Sequence, residues 1–372
     1  MKFTCEKLQL LSAILTASRA AATKSPVPLL EGLLLEAEDD ILRITGYDLK
    51  TGIVTTIPAE VEKTGGIVLN ARLFGDIIRK MPGQHVTVAV NSGYTAEISS
   101  EMSDFEILGF PTSDYPELPM VDEQDKIEIN ESVLKKMISQ TNFAVSDNES
   151  RPIHTGALFE TGDGELTIVA VDGYRLALRR EPLEKSDIPD FSFVVPGTAL
   201  NEVERILSDG DVNVVIVLGQ KHIIFMIDET ILVSRRLEGE FLNYKNSVPQ
   251  QSKYRFKIEK DELVGAVERV SLIISDKMKS PVRCVFGEGL LKLNSASALG
   301  KASDECAMNG DGENLEIGFN DRYLLEALKA APADDIYLEL SSGVTPCVIS
   351  PVDDAKNFLY MILPVRLKAY EG

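Results

Sequence analysis

The chain has 372 residues, 44% hydrophobic and 26% charged, with 58 acidic against 38 basic side chains for a formal net charge of −20. That is the composition of an ordinary globular protein, and the charge by itself argues against nucleic acid as a partner. No apolar run approaches the ~18 residues of a membrane-spanning helix. Four scattered cysteines (Cys5, Cys284, Cys306, Cys347) and three scattered histidines (His85, His154, His222) offer neither a disulfide framework nor a metal site, so reduced thiols in the cytoplasm are expected.

The chain opens with a strand, Phe3-Thr4-Cys5, and an apolar helix carrying Leu10 and Ile14. Met1–Ala22 has the outline of a secretory signal, but Glu6 and Lys7 sit directly before the apolar run, and Gln9 and Ser12 interrupt it. The pattern also recurs in mid-chain: Ile127-Glu128-Ile129 precedes Leu134 and Ile138, and Phe256-Lys257-Ile258 precedes Leu263 and Val267. A segment repeated inside the chain is structure, not an address.

Strand pairs follow in each copy: Leu33–Ala37 with Ile41–Thr45, Ala157–Glu160 with Leu166–Ala170, and Cys284–Phe286 with Leu290–Asn294. Their turns are expected at Glu38-Asp39-Asp40, Thr161–Glu165 and Gly287-Glu288-Gly289. Next comes the clearest repeat, Ile67–Val90, Phe193–Ile216 and Ile317–Leu340, offset by 126 and 124 positions without gaps. Phe74, Leu200 and Leu324 coincide, as do Ile77, Val203 and Ala327, and Met81, Leu207 and Ala331. This i, i+3, i+7 stripe predicts the buried face of a short helix. Asn70 and Asn320 stand at its N-cap, where the middle copy has Pro196-Gly197. The strand after it alternates as Val86, Val88, Val90, as Val212, Val214, Ile216, and as Ile336, Leu338, Leu340.

Closing hairpins are expected at Thr95–Ser99 with Phe105–Phe110, His222–Ile227 with Thr230–Arg235, and Cys347–Ser350 with Phe358–Leu363. Polar, proline-containing seams at Ser113–Lys126 and Asn243–Lys253 separate three domains, 1–121, 122–251 and 252–372. Two helices cannot cover both faces of about eight strands, so each domain reads as α+β, with helices on one side of antiparallel sheets.

The most motif-like stretch is VAVDGYRLAL, Val169–Leu178. Asp172, Tyr174 and Arg175 could serve as acid and base, but no nucleophile accompanies them. ITGYDL at Ile44–Leu49 repeats the turn, so Asp172-Gly173 reads as fold, leaving Tyr174-Arg175-Leu176 as a binding surface. Gly300-Lys301 lacks the earlier glycine of a phosphate loop, and the acidic pairs Asp39-Asp40, Asp334-Asp335 and Asp353-Asp354 fall in expected turns. No catalytic residue, cofactor or metal is expected.

Charge is unevenly placed. The six repeated helical segments, taken as Cys5–Lys24, Asn70–Met81, Asn130–Ser146, Pro196–Ser208, Asp261–Lys279 and Asn320–Ala331, together carry +3, leaving −23 on the remainder. Segments Cys5–Lys24 and Asn70–Met81 carry +2 each, whereas the middle copy Pro196–Ser208 carries −1. A protein meeting DNA only with its helices could therefore stay acidic overall, with a weak, salt-sensitive hold.

With MKFT at the start, PVPLL at Pro26–Leu30, FPTSDYPELP at Phe110–Pro119, VAVDGYRLAL, GEFLNYKNSVP at Gly239–Pro249 and LPVRL at Leu363–Leu367, the whole chain resembles the bacterial DNA polymerase III beta subunit, the replicative sliding clamp. The resemblance implies three tandem clamp domains, with two subunits closing head to tail into a six-domain ring around duplex DNA. It implies a processivity factor for the replicative polymerase, bound without regard to sequence and without catalysis, in the nucleoid-associated cytoplasm. DNA-facing positions would be Lys24, Arg72, Arg79, Lys80, Asn148 and Arg151.

A pocket for peptides of the polymerase alpha subunit, clamp loader, other polymerases and repair proteins would comprise His154, Val171, Gly173, Tyr174, Arg175, Leu176, Leu242 and Asn246. Its far wall would be Met361, Leu363, Pro364, Val365 and Arg366. Phe105 and Ile107 would meet Ile273 and Ile274 of the other subunit. Leu242, Asn246 and Ser247 depart from the family's Pro, Arg and Val, and His154 replaces an aliphatic residue. Gly197-Thr198 lack basic residues found in some members, and Lys368–Gly372 extends past the usual end beside the pocket. Two alternatives remain: a scaffold outside replication with the same fold, and an enzyme using Asp172 and Arg175.

Overall fold

The computed structural model describes residues 1–119, 125–184, 189–274, 280–353 and 357–367, with the backbone alone at 311–314. The tail Lys368–Gly372, Asp354, part of the first seam and the end of the segment Asp261–Lys279 lie outside the described residues.

The first repeat runs β1 (Lys2–Glu6), α1 (Lys7–Ala17), β2 (Gly32–Glu38), β3 (Ile41–Tyr47), β4 (Thr51–Pro58), β5 (Glu60–Lys63), β6 (Gly65–Asn70), α2 (Ala71–Lys80), β7 (His85–Val90), β8 (Thr95–Ser100) and β9 (Ser103–Leu108). The second runs β10 (Asp125–Asn130), α3 (Glu131–Ser139), β11 (Gly156–Gly162), β12 (Glu165–Val171), β13 (Arg175–Pro182), β14 (Ser192–Pro196), α4 (Gly197–Ile206), β15 (Asn213–Leu218), β16 (His222–Ile227) and β17 (Thr230–Arg235). The third runs β18 (Tyr254–Glu259), α5 (Lys260–Ser271), β19 (Val282–Ser297), β20 (Gly300–Phe319), α6 (Asp321–Ala330), β21 (Asp335–Leu340), β22 (Cys347–Pro351) and β23 (Phe358–Ile362).

Local chemistry explains the recurring strand–helix–strand. The Asn70 side chain accepts the Leu73 amide at 3.0 Å, and that of Asn320 accepts the Tyr323 amide at 3.0 Å, satisfying donors that a helix start leaves open. The stripe Phe74, Leu200, Leu324 and its two successors is buried in every copy. The far end of the helix is tied to the start of its repeat: Lys7 Nζ donates to the Met81 carbonyl and Lys260 Nζ to that of Ala331. In the middle copy Glu131 instead accepts the Ser208 amide at 2.6 Å.

The chain folds as two compact units. In the first, Met1–Ser132 with Asn201–Arg236, a five-stranded sheet runs β5-β1-β7-β8-β9 and an eight-stranded sheet runs β10-β15-β16-β17-β4-β3-β2-β6. Phe3, Leu10, Ile14, Leu33, Ile44, Leu69, Phe74 and Val88 belong to one apolar core there. Gly46 lets β3 approach the end of α1, since a Cβ would lie 2.0 Å from the Ala17 carbonyl oxygen. β17 of the second repeat pairs antiparallel with β4 of the first, from Thr230 opposite Thr55 to Ser234 opposite Thr51. In the second unit, Val133–Leu200 with Leu237–Gly372, a ten-stranded sheet runs β14-β11-β12-β13-β23-β22-β21-β18-β20-β19. There β23 pairs with β13, from Arg175 opposite Ile362 to Arg179 opposite Phe358.

Several expectations are corrected. Val212 is 48% exposed and precedes β15, its carbonyl accepting the Glu131 amide, so it has no place in the alternating strand. The break at Gly287-Glu288-Gly289 is a bend inside the continuous strand β19, where the register against β20 shifts twice. First helices end earlier than the counted segments, at Ala17, Ser139 and Ser271, so Lys24 lies in a loop. Among the described residues the repeats hold nine, eight and six strands instead of about eight each, the long β19 and β20 accounting for the smallest count. Asp335 begins β21 and pairs with Lys257 at 2.7 Å.

Phe74→Ala would empty a fully buried aromatic site and should cost about 3–5 kcal/mol. The expected result is a lower urea midpoint for the first unit, read by amide exchange of β7; an unchanged midpoint would exclude α2 from the cooperative core.

Candidate functional site

The β12–β13 hairpin and the end of β23 build an apolar cluster within the second unit. Asp172 Oδ1 accepts the amides of Tyr174 at 2.8 Å and Arg175 at 3.0 Å, closing the expected turn. Gly173 takes φ +93°, a left-handed conformation that a side chain would strain. The Leu363 amide donates to the Tyr174 carbonyl at 2.8 Å, extending the ladder in which Leu176 lies opposite Met361. Val171, Leu176 and Met361 thereby enter one buried cluster with Leu158, Val169, Val194 and Tyr244, flanked by half-buried Ile153, Phe241 and Val248.

The other expected lining residues fall at its margins. The His154 ring meets Phe241 edge-on at 5.6 Å. Leu242 is 44% exposed, and Asn246 lies exposed on the short turn Tyr244–Asn246. Leu363 and Pro364 are half-buried, Arg366 is exposed, and Val365 is fixed by its amide on the Gly318 carbonyl at 2.8 Å. Tyr174 is 63% exposed and stacks on Tyr323, with ring centroids 6.2 Å apart.

Beneath the cluster, Tyr244 donates its hydroxyl to Glu160 at 2.6 Å and Lys245 donates to the same carboxylate. Burial works to raise the Glu160 carboxyl, but these two donors outweigh it and hold it below its ordinary value. Burial and Glu160 push the Tyr244 hydroxyl up, so it remains a donor. Phe241, Val248, Ile153 and Tyr244 were not singled out from sequence; GEFLNYKNSVP contains three of them, but only the fold shows which side chains turn inward.

Arg175 is buried. Its side chain is 5% exposed, with Nε on Asp172 at 2.9 Å, Nη1 on Glu326 and Nη2 on the Phe143 carbonyl at 2.6 Å. The guanidinium carbon lies 4.4 Å from the Tyr323 ring centroid and 5.3 Å from that of Phe143. These contacts tie the hairpin to Glu326 and to the Phe143 carbonyl. Asp172 is engaged by the same guanidinium and by the turn amides.

The basic positions are exposed. Arg72 and Lys80 lie on α2, Lys24 in the loop after α1, and Asn148 and Arg151 in the segment after α3. Arg79 and Lys80 occupy the last turn of α2, where a helix favours cations. A groove of about 450 Å³ between α1 and α2 is lined by Ile14, Leu15, Arg72, Gly75 and Arg79. Phe105 is 42% exposed on β9 and Ile107 half-buried against the first unit's core, while Leu108, not expected, is 79% exposed. In the second unit Ile273 and Ile274 are half-buried.

Among the described residues no three His, Cys, Asp or Glu side chains gather as a metal would require, and no helix is long and apolar enough to cross a membrane. All four cysteines are buried, and burial pushes Cys5, Cys306 and Cys347 to about 12.

Burial, and then the neighbouring Arg151, hold the His154 imidazole below its ordinary 6.5. The folded state thus favours neutral His154; its contribution to stability is complete above pH 6.5 and is lost as pH falls through the lower folded value. A titration followed by NMR should give a midpoint below 6.5, moved partway back by Arg151→Ala. A midpoint at or above the ordinary value would contradict the burial of the ring beside Phe241 and Arg151.

Family models described as DNA polymerase III beta subunit match the chain three times: the N-terminal domain at residues 1–119, the central domain at 128–243 and the C-terminal domain at 245–366. A beta sliding clamp of Staphylococcus epidermidis is 32% identical over 376 residues, covering 98% of this chain and 99% of that one. The solved DNA polymerase sliding clamp of Bacillus subtilis is 31% identical with a TM-score of 0.95, covering 99% of this chain and 100% of that one. The Pseudomonas aeruginosa clamp, solved bound to griselimycin, is 27% identical with a TM-score of 0.93, covering 99% and 100%. The chain is a member of the DNA polymerase III beta subunit family, the bacterial sliding clamps.

Proposed function

We propose that this protein is a DNA polymerase processivity factor: two copies close head to tail around duplex DNA, and the depression at β13–β23 holds peptides of the replicative polymerase and other partners. The observation that carries the ring is the way repeats join. The last strand of the second repeat, β17, pairs with β4 of the first, and the last strand of the third, β23, pairs with β13, the β4 counterpart in the second.

By the same rule β9 should pair with the β4 counterpart of the third repeat, the Gly300–Ala307 part of β20. Among the described residues β9 pairs only with β8. A second copy supplies the missing partner in each direction, and Phe105, Leu108, Ile273 and Ile274 belong to that junction. Closure also removes the open sheet edges, which otherwise invite nonspecific pairing.

On this reading the domains span 1–121, 122–251 and 252–372, and Lys24, Arg72, Arg79, Lys80, Asn148 and Arg151 face the duplex. The pocket suits an extended peptide with apolar anchors seated on Val171, Leu176 and Met361. Clamp-loader, polymerase alpha-subunit and repair-factor peptides are its partners, and the protein acts without catalysis in the nucleoid-associated cytoplasm. The catalytic alternative is disfavoured because Asp172 and Arg175 engage each other and Glu326.

Loaded on nicked circular DNA, the protein should be retained through a high-salt wash and lost when the circle is linearised; retention after linearisation would mark an ordinary binder. Leu108→Asp should yield monomers by sedimentation and abolish retention. Met361→Ala should weaken a polymerase-tail peptide about tenfold or more by calorimetry while leaving retention intact. An unchanged peptide affinity would place the peptide elsewhere.

A further inference from the structure

One position of the repeated helix carries a carboxylate in all three copies. In the overlay that aligns Ile77 with Val203 and Ala327, the preceding residues are Asp76, Glu202 and Glu326. Each holds two arginines at once. Asp76 accepts from Nη1 of Arg79 at 2.6 Å and stands 4.0 Å from Nε of Arg72. Glu202 is 2.8 Å from Nη1 of Arg205 and 3.4 Å from Nη1 of Arg19. Glu326 is 2.8 Å from Nε of Arg322 and also engages the buried Arg175. The second arginine comes from a different place each time: from α2 itself, from the turn Ser18–Ala20 after α1, and from the β13 hairpin.

Folding does not account for the first of these bridges. Arg72 is 93% exposed and Asp76 54% exposed, and pairs of that kind add little to stability. What they change is the field at the helix face. One carboxylate shared by two guanidiniums leaves a single net positive charge, and a phosphate must displace it to reach either arginine.

We propose that Asp76 and Glu202 set the strength of the DNA grip, holding Arg72, Arg79, Arg205 and Arg19 against protein carboxylates so that the duplex is held loosely enough to slide. This rests on the clamp reading above and goes beyond it in naming the residues that weaken the hold. Glu326 is the contrast, because its second arginine is the buried support of the pocket hairpin.

The test uses full-length Asp76→Asn, Glu202→Gln and the double variant, with thermal unfolding to verify the fold. Binding to a short linear duplex is measured from about 50 to 200 mM salt; each carboxylate removed should steepen log K against log salt by about 0.9 to 1.8 and tighten binding about three- to tenfold at the lower salt. Loss from linearised DNA should slow in the same order. Arg72→Ala with Arg79→Ala should flatten the slope instead. Unchanged slopes and sliding-off times in folded variants, with wild type still retained on circles, would overturn the proposal and leave the clamp reading standing. Failure of wild type to be retained on circles would sink both.

Discussion

A strand at the end of a sheet leaves a row of backbone amides and carbonyls without partners, and this architecture follows from where those rows are satisfied. The Thr230–Ser234 stretch of β17 finds Thr51–Thr55 of β4, with the two threonine hydroxyls at Thr230 and Thr55 also in contact at 3.1 Å. β23 finds β13, and the Leu363 amide carries that ladder one step further onto the Tyr174 carbonyl. The second junction does more than hold two repeats together. It sets Leu176 opposite Met361, so an apolar cluster drawn from two repeats exists only because their edges are paired. Joint and cluster are one construction.

Much of the fold was readable in the residues because its units are local. The i, i+3, i+7 stripe through Phe74, Ile77 and Met81 and the Asn70 cap are short-range facts, and three copies of a short-range fact reinforce one another. The strands that went unassigned were β4, β5, β13 and most of β20. TGIVTTIP in β4 mixes Gly52, three threonines and Pro58 and shows no clean alternation, because a strand paired on both sides is fixed by its neighbours as much as by its own pattern. β4 and β13 are the strands through which the repeats join. Val212 failed for a related reason: it fits the apolar alternation, but the Ser208–Val212 connection bends back so that its carbonyl meets Glu131.

At the site, sequence shows conformations set by immediate neighbours and does not show burial set by a distant partner. The Asp172-Gly173 turn was predictable from an Asx side chain next to a glycine. Arg175, adjacent to exposed Tyr174, looked equally presented. Nothing local signals that Glu326, 151 residues away, and the Phe143 carbonyl would draw it inward. The inward turn of Phe241 and Val248 likewise depends on a wall that the β13–β23 ladder creates.

Charge was the main objection to a DNA partner, and the structure sharpens the answer to it. Counting residues assigned +3 to the helical segments, but many of the cations counted are engaged within the protein. Lys7 holds a helix-end carbonyl; Arg79, Arg205 and Arg322 hold carboxylates. The positive charge available to phosphate is therefore less than the count suggests, and affinity alone makes a poor account of persistent attachment. Enclosure needs no such affinity. It needs edges that close, which the two ladders provide within the chain, while among the described residues β9 pairs only with β8. Weak charge and unfinished edges thus point the same way: a protein that keeps its DNA by surrounding it has every reason to keep its arginines occupied.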